Sequence, residues 1–438
     1  MARKMKGSGI EWIGEIPTDF SLYKLKYLLS SPLCYGANES GTLYSDILPR
    51  YIRITDISPN GTLKNSGMLS LDESSAQNYM LHEGDILFAR SGATVGKSFI
   101  YHNYYGRAAY AGYLIKASFN RLVLPEFVYY YTCSSAYEIW KNSIFIQSTI
   151  QNIGADRYSN LPISVPNSID KQLRIVRYLN NFCSKFDAII YNLQTSIEDY
   201  KKLKQAIITQ AITKGVRGER EMKDSGIAWI GEIPKEWDII KSSRIIKTTQ
   251  NGLSRRDLEK SEGQIILKLK NITSDGKIDY SFLNRITLSQ NELNTYALTT
   301  GDFLFVRVNG SKSLVGKCAI FEAISEIVAY NDHIIRVKLS NQCYNRFFLW
   351  YLYSCCGKAE IDLHTSTAAG QYTISGDGLR DITLVFPPID EQKEIADYLD
   401  AKCAEIDKLI AKKEQLVKEL ESYKKSLIYE VVTGKREV

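Results

Sequence analysis

Two stretches of the chain carry the residue types of a phosphate-binding loop. Ser91-Gly92-Ala93-Thr94-Val95-Gly96-Lys97-Ser98 approximates GxxxxGK[ST], in which backbone N–H groups cradle phosphates, a lysine reaches them and a hydroxyl holds magnesium. Ser91 stands where the leading glycine is required. The second stretch, Gly310 to Cys318, has a loop one residue too long, and Cys318 replaces the hydroxyl. A cradle needs a fixed number of N–H groups around the phosphate. Both stretches are therefore read as hairpin loops with basic tips.

Other catalytic chemistry is equally incomplete. Phe386-Pro387-Pro388-Ile389 has the prolines of an adenine methyltransferase motif but no amide or carboxylate before them, and no glycine-rich cofactor fingerprint precedes it. Glu391-Gln392-Lys393 matches the ExK of restriction nucleases, yet its only upstream acid, Asp390, is adjacent and at a helix start. His82, His102, His333 and His364 are isolated in sequence, and the eight cysteines form no CxxC. No catalytic residue, no metal and no cofactor is expected on this chain. The cysteines read as reduced thiols of a cytoplasmic protein. No run reaches 18 apolar residues, and the basic N-terminus lacks an apolar segment behind it, so neither a membrane span nor a secretory signal is expected.

Nucleic-acid chemistry remains. The formal charge is +6, from 55 basic and 49 acidic residues, which permits a polyanionic partner without demanding one. Arg90 and Arg307 end equivalent strands, Lys97 and Lys317 follow in equivalent loops, and Lys312 is added in the second. Such side chains suit phosphates and guanine edges. Gln147, Ser148, Thr149 and Gln151 form a polar segment with amides that can pair with adenine, and Gln371 and Tyr372 stand in the corresponding place later on. These eleven residues are the expected DNA contacts.

The elements that position them are written twice. Residues 5–17, MKGSGIEWIGEIP, match residues 222–234, MKDSGIAWIGEIP, at eleven of thirteen positions. Gly84-Asp85-Ile86-Leu87-Phe88-Ala89-Arg90 matches Gly301-Asp302-Phe303-Leu304-Phe305-Val306-Arg307. Val95-Gly96-Lys97 matches Val315-Gly316-Lys317, and Ile169-Asp170-Lys171-Gln172 matches Ile389-Asp390-Glu391-Gln392. Each half has a linker-like SGIxWIGEIP segment, a strand-rich α+β region (about 18–166 and 235–387) and a long helix (170–213 and 390–433). Tyr51–Ile57 and Gln264–Lys270 alternate at period two and read as strands. Asp170 and Asp390 are placed as N-caps, and Gly215 and Gly434 as C-terminal stops. Leu179, Phe186 and Leu193 step by seven, as do Ile406, Leu420 and Leu427 with one interruption at Lys413. They form the expected core of an antiparallel helix pair, with Ile189 and Leu203 beside it.

The repeated SGIxWIGEIP, the GDxLFxR followed by VGK, and the IDxQ start of each helix resemble the specificity subunits of Type I restriction–modification enzymes over nearly the whole chain. The resemblance implies two tandem α/β target-recognition domains, 1–167 and 215–387, separated by two long antiparallel coiled-coil-like spacer helices, 168–214 and 388–438, with pseudo-two-fold symmetry. It implies a non-catalytic, cytoplasmic DNA-recognition protein that directs an adenine-N6 methyltransferase and a nuclease-translocase to a split, asymmetric DNA site. It further implies partners: double-stranded DNA, two methyltransferase subunits and the restriction subunits, with AdoMet, ATP and Mg belonging to those partners. Two other classes fit the duplication: an autonomous DNA-binding regulator, and a scaffold that binds no DNA.

Overall fold

The computed structural model describes residues 4–58, 61–92, 94–145, 152–255, 262–273, 275–368 and 370–438. The chain divides into two compact units, Met1–Gln194 with Glu414–Val438, and Thr195–Lys413. Each combines strands and helices, and each takes in the start of one long helix and the end of the other.

The first unit opens with a hairpin, Met5–Gly7 against Glu15–Pro17. Ser8 Oγ accepts from the Ile10 N–H at 3.1 Å. Gly9 and Gly14 take φ of 76° and 68°, which side chains disfavour. Ile13 and Ile16 are fully buried in the main core. The SGIxWIGEIP segment is thus a folded part of the unit rather than a linker. Its glycines and serine, which suggested a linker, are the turn residues of a docked hairpin. The second unit repeats it, Met222–Asp224 against Glu232–Pro234, with Ser225 Oγ accepting from Ile227 at 3.2 Å.

Behind the hairpin, Ile86–Ala89 lies inside an antiparallel sheet ordered Cys34–Tyr35, Leu114–Ala117, Ile86–Ala89, Ser98–Ile100. Ile86 and Phe88 join the core formed with Phe127, Val128, Tyr131 and Trp140 of two short helices. Leu87 and Ala89 face a second core with Ile52, Phe99 and Tyr110. A strand buried on both faces reads as an unbroken apolar run, and this is why Ile86-Leu87-Phe88-Ala89 contains no polar residue. In the second unit Phe303–Val306 divides in the same way, Phe303 and Phe305 into one core, Leu304 and Val306 into the other. It lies in a sheet ordered Ile246–Asn251, Ile334–Leu339, Phe303–Val306, Cys318–Ile320.

The expected strand over Tyr51–Ile57 ends at Ile52. Asp56 Oδ2 accepts from the Arg53 N–H at 2.8 Å and turns the chain into a 3-10 helix, Ile54–Asp56. Gln264–Leu267 stops likewise, where Asn271 Oδ1 accepts from Lys268 at 2.9 Å. The apolar alternation continued because Ile57 and Ile272 still pack inward from the turns.

The long helices run Ile169–Lys214 and Ile389–Val432. Both start before the aspartates, so Asp170 and Asp390 are exposed first-turn residues rather than caps. There their charge still suits the positive end of the helix dipole. Gly215 and Gly434, with φ of 74° and 73°, end them. Within the first unit, Leu179 and Cys183 share a core with Leu427, Ile428 and Val431, and Lys424 Nζ sits 2.6 Å from Asp187. Within the second, Ile208 and Ile212 share a core with Ile395, Leu399 and Cys403. There Lys413 lies 5.6 Å from the Tyr200 ring centroid and Lys204 2.7 Å from Asp407, the order of an antiparallel pair.

Leu179, Ile406 and Leu427 are buried, whereas Phe186, Leu193 and Leu420 are half-buried. Ile189 and Leu203 are each 47% exposed, and Val176, Cys183, Ile190 and Ile197 carry the buried line instead. The seven-residue step thus holds, but the most buried series sits three positions before the expected one, which flanks it as the second position of the same seam. Among the described residues no helix is long and apolar enough to cross a membrane. None of their His, Cys, Asp and Glu side chains gather in a group of three or more able to hold a metal ion.

Candidate nucleic-acid interface

The motifs shared by the two halves are first of all a frame. Asp85 Oδ2 accepts from the His82 N–H at 2.9 Å, and Asp302 Oδ2 from the Thr299 N–H at 2.9 Å. Each closes the turn that launches a central strand. Gly96 and Gly316 have φ of 82° and 75°, and their N–H groups donate to Ala89 and Val306 at 2.8 and 2.9 Å. Gln172 is fully buried. Its Oε1 accepts from Leu124 at 2.8 Å, and its Nε2 donates to Leu122 and Pro166, each at 3.0 Å. Gln392 does the same with Tyr344 and Pro387, both at 2.9 Å. The IDxQ glutamine therefore clamps each helix start to its own unit, since unpaired polar groups buried there would be costly.

Lys97 and Lys317 follow the hairpin glycines at the base of the loop, not at its tip. Their carbonyls accept from Ala89 and Val306 at 2.8 and 2.7 Å, and both side chains are half-buried. The displacement follows from the left-handed glycine, which closes the hairpin just before the lysine. Lys312 is exposed, on the short turn Lys312–Leu314.

Arg90 and Arg307 occupy one position in two settings. The Arg90 N–H donates to the Tyr113 carbonyl at 3.1 Å, and the Arg90 carbonyl accepts from Ile153 at 2.9 Å. The Arg307 N–H donates to His333 at 2.8 Å, and its carbonyl accepts from Ile374 at 2.9 Å. The Arg90 guanidinium lies 4.8 Å from the Tyr35 ring centroid, and its buried Nε has no hydrogen-bond partner among the described residues. Arg307 Nη1 donates to the Asp332 carbonyl at 3.2 Å. Tyr113, beside Arg90, is 63% exposed.

In the second unit the strands Val308–Asn309, Gln371–Thr373 and Ser366–Ala368 form a small sheet, with Asn309 opposite Tyr372 and Tyr372 opposite Thr367. It brings Gln371 and Tyr372 next to the segment that starts at Arg307 and leads into Lys312. In the first unit, Ser91 pairs with Asn152 in an isolated bridge. Gln147, Ser148, Thr149 and Gln151 lie outside the described residues.

Along the sequence the charge around the arginines is one-sided, although Arg107 pairs with Glu73 and Lys116 with Asp85. No acidic residue occurs between Asp85 and Glu126, a span that holds Arg90, Lys97, Arg107, Lys116 and Arg121. None occurs between Asp302 and Glu322, which holds Arg307, Lys312 and Lys317, nor between Asp362 and Asp377. Their remaining basic side chains suit a phosphate backbone. Tyr35, Tyr113, Asn309 and His333 were not picked out from the sequence. Tyr35, Tyr113 and His333 reach the arginines through pairings distant along the chain, whereas Asn309 lies two residues past Arg307, and the acid-free spans were the available signal.

Comparison with known proteins follows the same division. The model of the Type I restriction modification DNA specificity domain matches residues 44–199 and 234–419. The StySPI specificity subunit of Salmonella potsdam, a Type I restriction enzyme, is 24% identical over 316 residues, covering 72% of this chain and 66% of the relative. The EcoKI specificity subunit of Escherichia coli strain K12 is 25% identical over 279 residues, covering 63% and 58%. The alignments thus span less than two thirds of these two relatives' length. A putative specificity subunit of Methanocaldococcus jannaschii, MjaX, is 24% identical over 435 residues, covering 97% and 95%. A solved chain from work on assembly and conformational transition of the type I R-M system shares the fold, with a TM-score of 0.70 at 14% identity, covering 96% of this chain and 99% of its own.

Proposed function

The chain belongs to the Type I restriction–modification DNA specificity family, and from that premise we propose that it is the DNA-recognition subunit of such an enzyme, itself without catalysis. It directs an adenine-N6 methyltransferase, present in two copies, and a nuclease-translocase to a bipartite asymmetric DNA sequence. One observation carries this reading. Two units of one plan each hold an arginine at the same strand end, inside a basic span free of acidic residues. Each unit reads one half of the site.

A methyltransferase that acts at one site among many needs discrimination that its own chemistry lacks. Each mismatched base pair costs roughly 1–3 kcal/mol, and the costs of separated positions add, so two linked readers multiply modest selectivity. The partners supply the rest: AdoMet serves methyl transfer, and ATP with Mg serves translocation and cleavage. Two copies of one partner suit two related docking faces.

The test is to co-express the chain with its cognate methyltransferase and map methylated adenines in host DNA. A single split motif is expected, lost when the chain is omitted. Methylation that is indifferent to the chain would leave it a scaffold, and tight sequence-specific binding by the chain alone would make it a regulator.

A further inference from the structure

Arg90 and Arg307 end strands at one register, but what stands beside them differs. Ile115 pairs with both Phe88 and Tyr35, and Ile335 with both Phe305 and Asn251. Asn251 therefore occupies in the second unit the place that Tyr35 has in the first. Tyr35 is 41% exposed, on the edge strand Cys34–Tyr35. Its Oη accepts from the Ala155 N–H at 3.0 Å, so the ring is held at both ends. The Arg90 guanidinium lies over that ring, 4.8 Å from its centroid. Asn251 is exposed and offers no aromatic face, and Arg307 is tied instead through Nη1 to the Asp332 carbonyl.

Arg90 also lacks what comparable arginines have. Half-buried Arg53, Arg220 and Arg336 lie beside the carboxylates of Asp56, Glu391 and Asp302. Arg90 is half-buried as well, yet it forms no ion pair among the described residues. Its Nε is buried without a hydrogen-bond partner. Nη1 and Nη2 bond no described residue either, but they are not enclosed. A buried donor left unpaired is costly, and a ring face beneath it does not supply an acceptor. The result is a charged fork held from below, with two donors open to solvent and no acceptor in the protein. It suits a ligand that presents two acceptors in one plane.

We propose that Arg90 reads a guanine in the half-site held by the first unit, and that Tyr35 is the positioning residue for this contact. The proposal rests on the DNA-recognition reading above and deepens it. In the major groove guanine presents O6 and N7 as paired acceptors, and a bidentate arginine is their matching donor. A guanidinium held over an aromatic ring has less orientational freedom to lose on binding than a free one, so more of the contact is kept as discrimination. A phosphate needs no such alignment, and a lysine serves it as a point charge. The support under Arg90 is therefore the support of a base contact.

The experiment maps adenine methylation in host DNA for the full chain with its methyltransferase, comparing the unaltered chain with Arg90→Lys, Tyr35→Leu and Tyr35→Phe. Arg90→Lys keeps the charge and loses the fork. It is expected to lose discrimination roughly 5- to 150-fold at one G·C pair of one half-site, the fold-change of one lost base contact, with the other half-site unchanged. Tyr35→Leu should relax the same pair and no other, and Tyr35→Phe, which keeps the ring, should restore most of the preference. Arg90→Lys carries the test should Tyr35→Leu lower the yield of folded chain. A uniform fall in methylation with the motif intact would make Arg90 a phosphate contact and overturn the proposal. So would an unaltered motif in Arg90→Lys, or relaxation only at an A·T pair. Relaxation by Tyr35→Phe equal to that by Tyr35→Leu overturns the positioning role of the ring. A lack of any motif with the unaltered chain would instead overturn the recognition role.

Discussion

In the first unit Lys116 Nζ lies 3.9 Å from Asp85 and 5.7 Å from the Tyr110 ring centroid. In the second, Arg336 lies 4.0 Å from Asp302 and 5.6 Å from Tyr330. Tyr79 meets Tyr110 edge-on at 6.2 Å, and Tyr296 meets Tyr330 edge-on at 6.2 Å. These three contacts thus repeat to within about 0.1 Å, although few of their surroundings match in sequence. At the strand ends the backbone pairing still repeats but the side chains change: Tyr113 stands beside Arg90 where His333 stands beside Arg307, and among the described residues the three-stranded sheet is seen in the second unit. At the helix starts even the charge inverts, Lys171 pairing with Asp19 where Glu391 pairs with Arg220. What repeats is what holds the strands in place, and what differs is what faces outward beside the arginines.

The strongest way to test the shared frame is to damage both copies alike. Leu179→Ala and Leu399→Ala each empty a fully buried site in an equivalent helix turn. Each should cost about 2–5 kcal/mol, seen as matching shifts in the denaturant midpoint; a loss at only one position would break the equivalence. A smaller effect is expected at Gly36 and Gly252. A Cβ there would stand 2.3 Å from the Tyr110 carbonyl and 2.2 Å from the Asn331 carbonyl. Gly36→Ala and Gly252→Ala should each cost about 1–3 kcal/mol, read from thermal melts, as overpacking typically does; a variant of unchanged stability would show that the two chain crossings are looser than the frame requires.

Much of this frame was legible in the residues. Gly84–Arg90 and Gly301–Arg307 announced equivalent strands, though not their burial on both faces, and the helices followed from long stretches without Pro or Gly. The SGIxWIGEIP hairpin was misread because glycine and serine serve docked turns as well as linkers. Strand length at Tyr51 was misread because one carboxylate, Asp56, ends the strand by capping its own turn. Of the candidate interface, the basic residues together with Gln371 and Tyr372 were picked out from the sequence. Asn309, Tyr372 and Thr367 become neighbours through strand pairing across about 60 residues, which no local pattern reports.

The lysines test whether the two units share a backbone contact. Lys97→Ala and Lys317→Ala, measured in the assembled complex, should each weaken DNA binding across sequences and reduce the slope of log affinity against log salt by about one unit. Unchanged slopes would remove these loop bases from the DNA side. The least effect is expected at the helix-pair ions. Double-mutant cycles on Lys424–Asp187 and on Lys204–Asp407 should each give about 0.2–1 kcal/mol, since these pairs are partly exposed; a coupling several times larger in one unit would mark a real asymmetry.

The central claim is that each unit reads its own half of the target. Exchanging residues 18–166 for the matching region of a related specificity subunit, followed by mapping of methylated adenines, tests it directly. One half of the methylated sequence should change and the other should stay as it was, and a change in both halves would contradict the account.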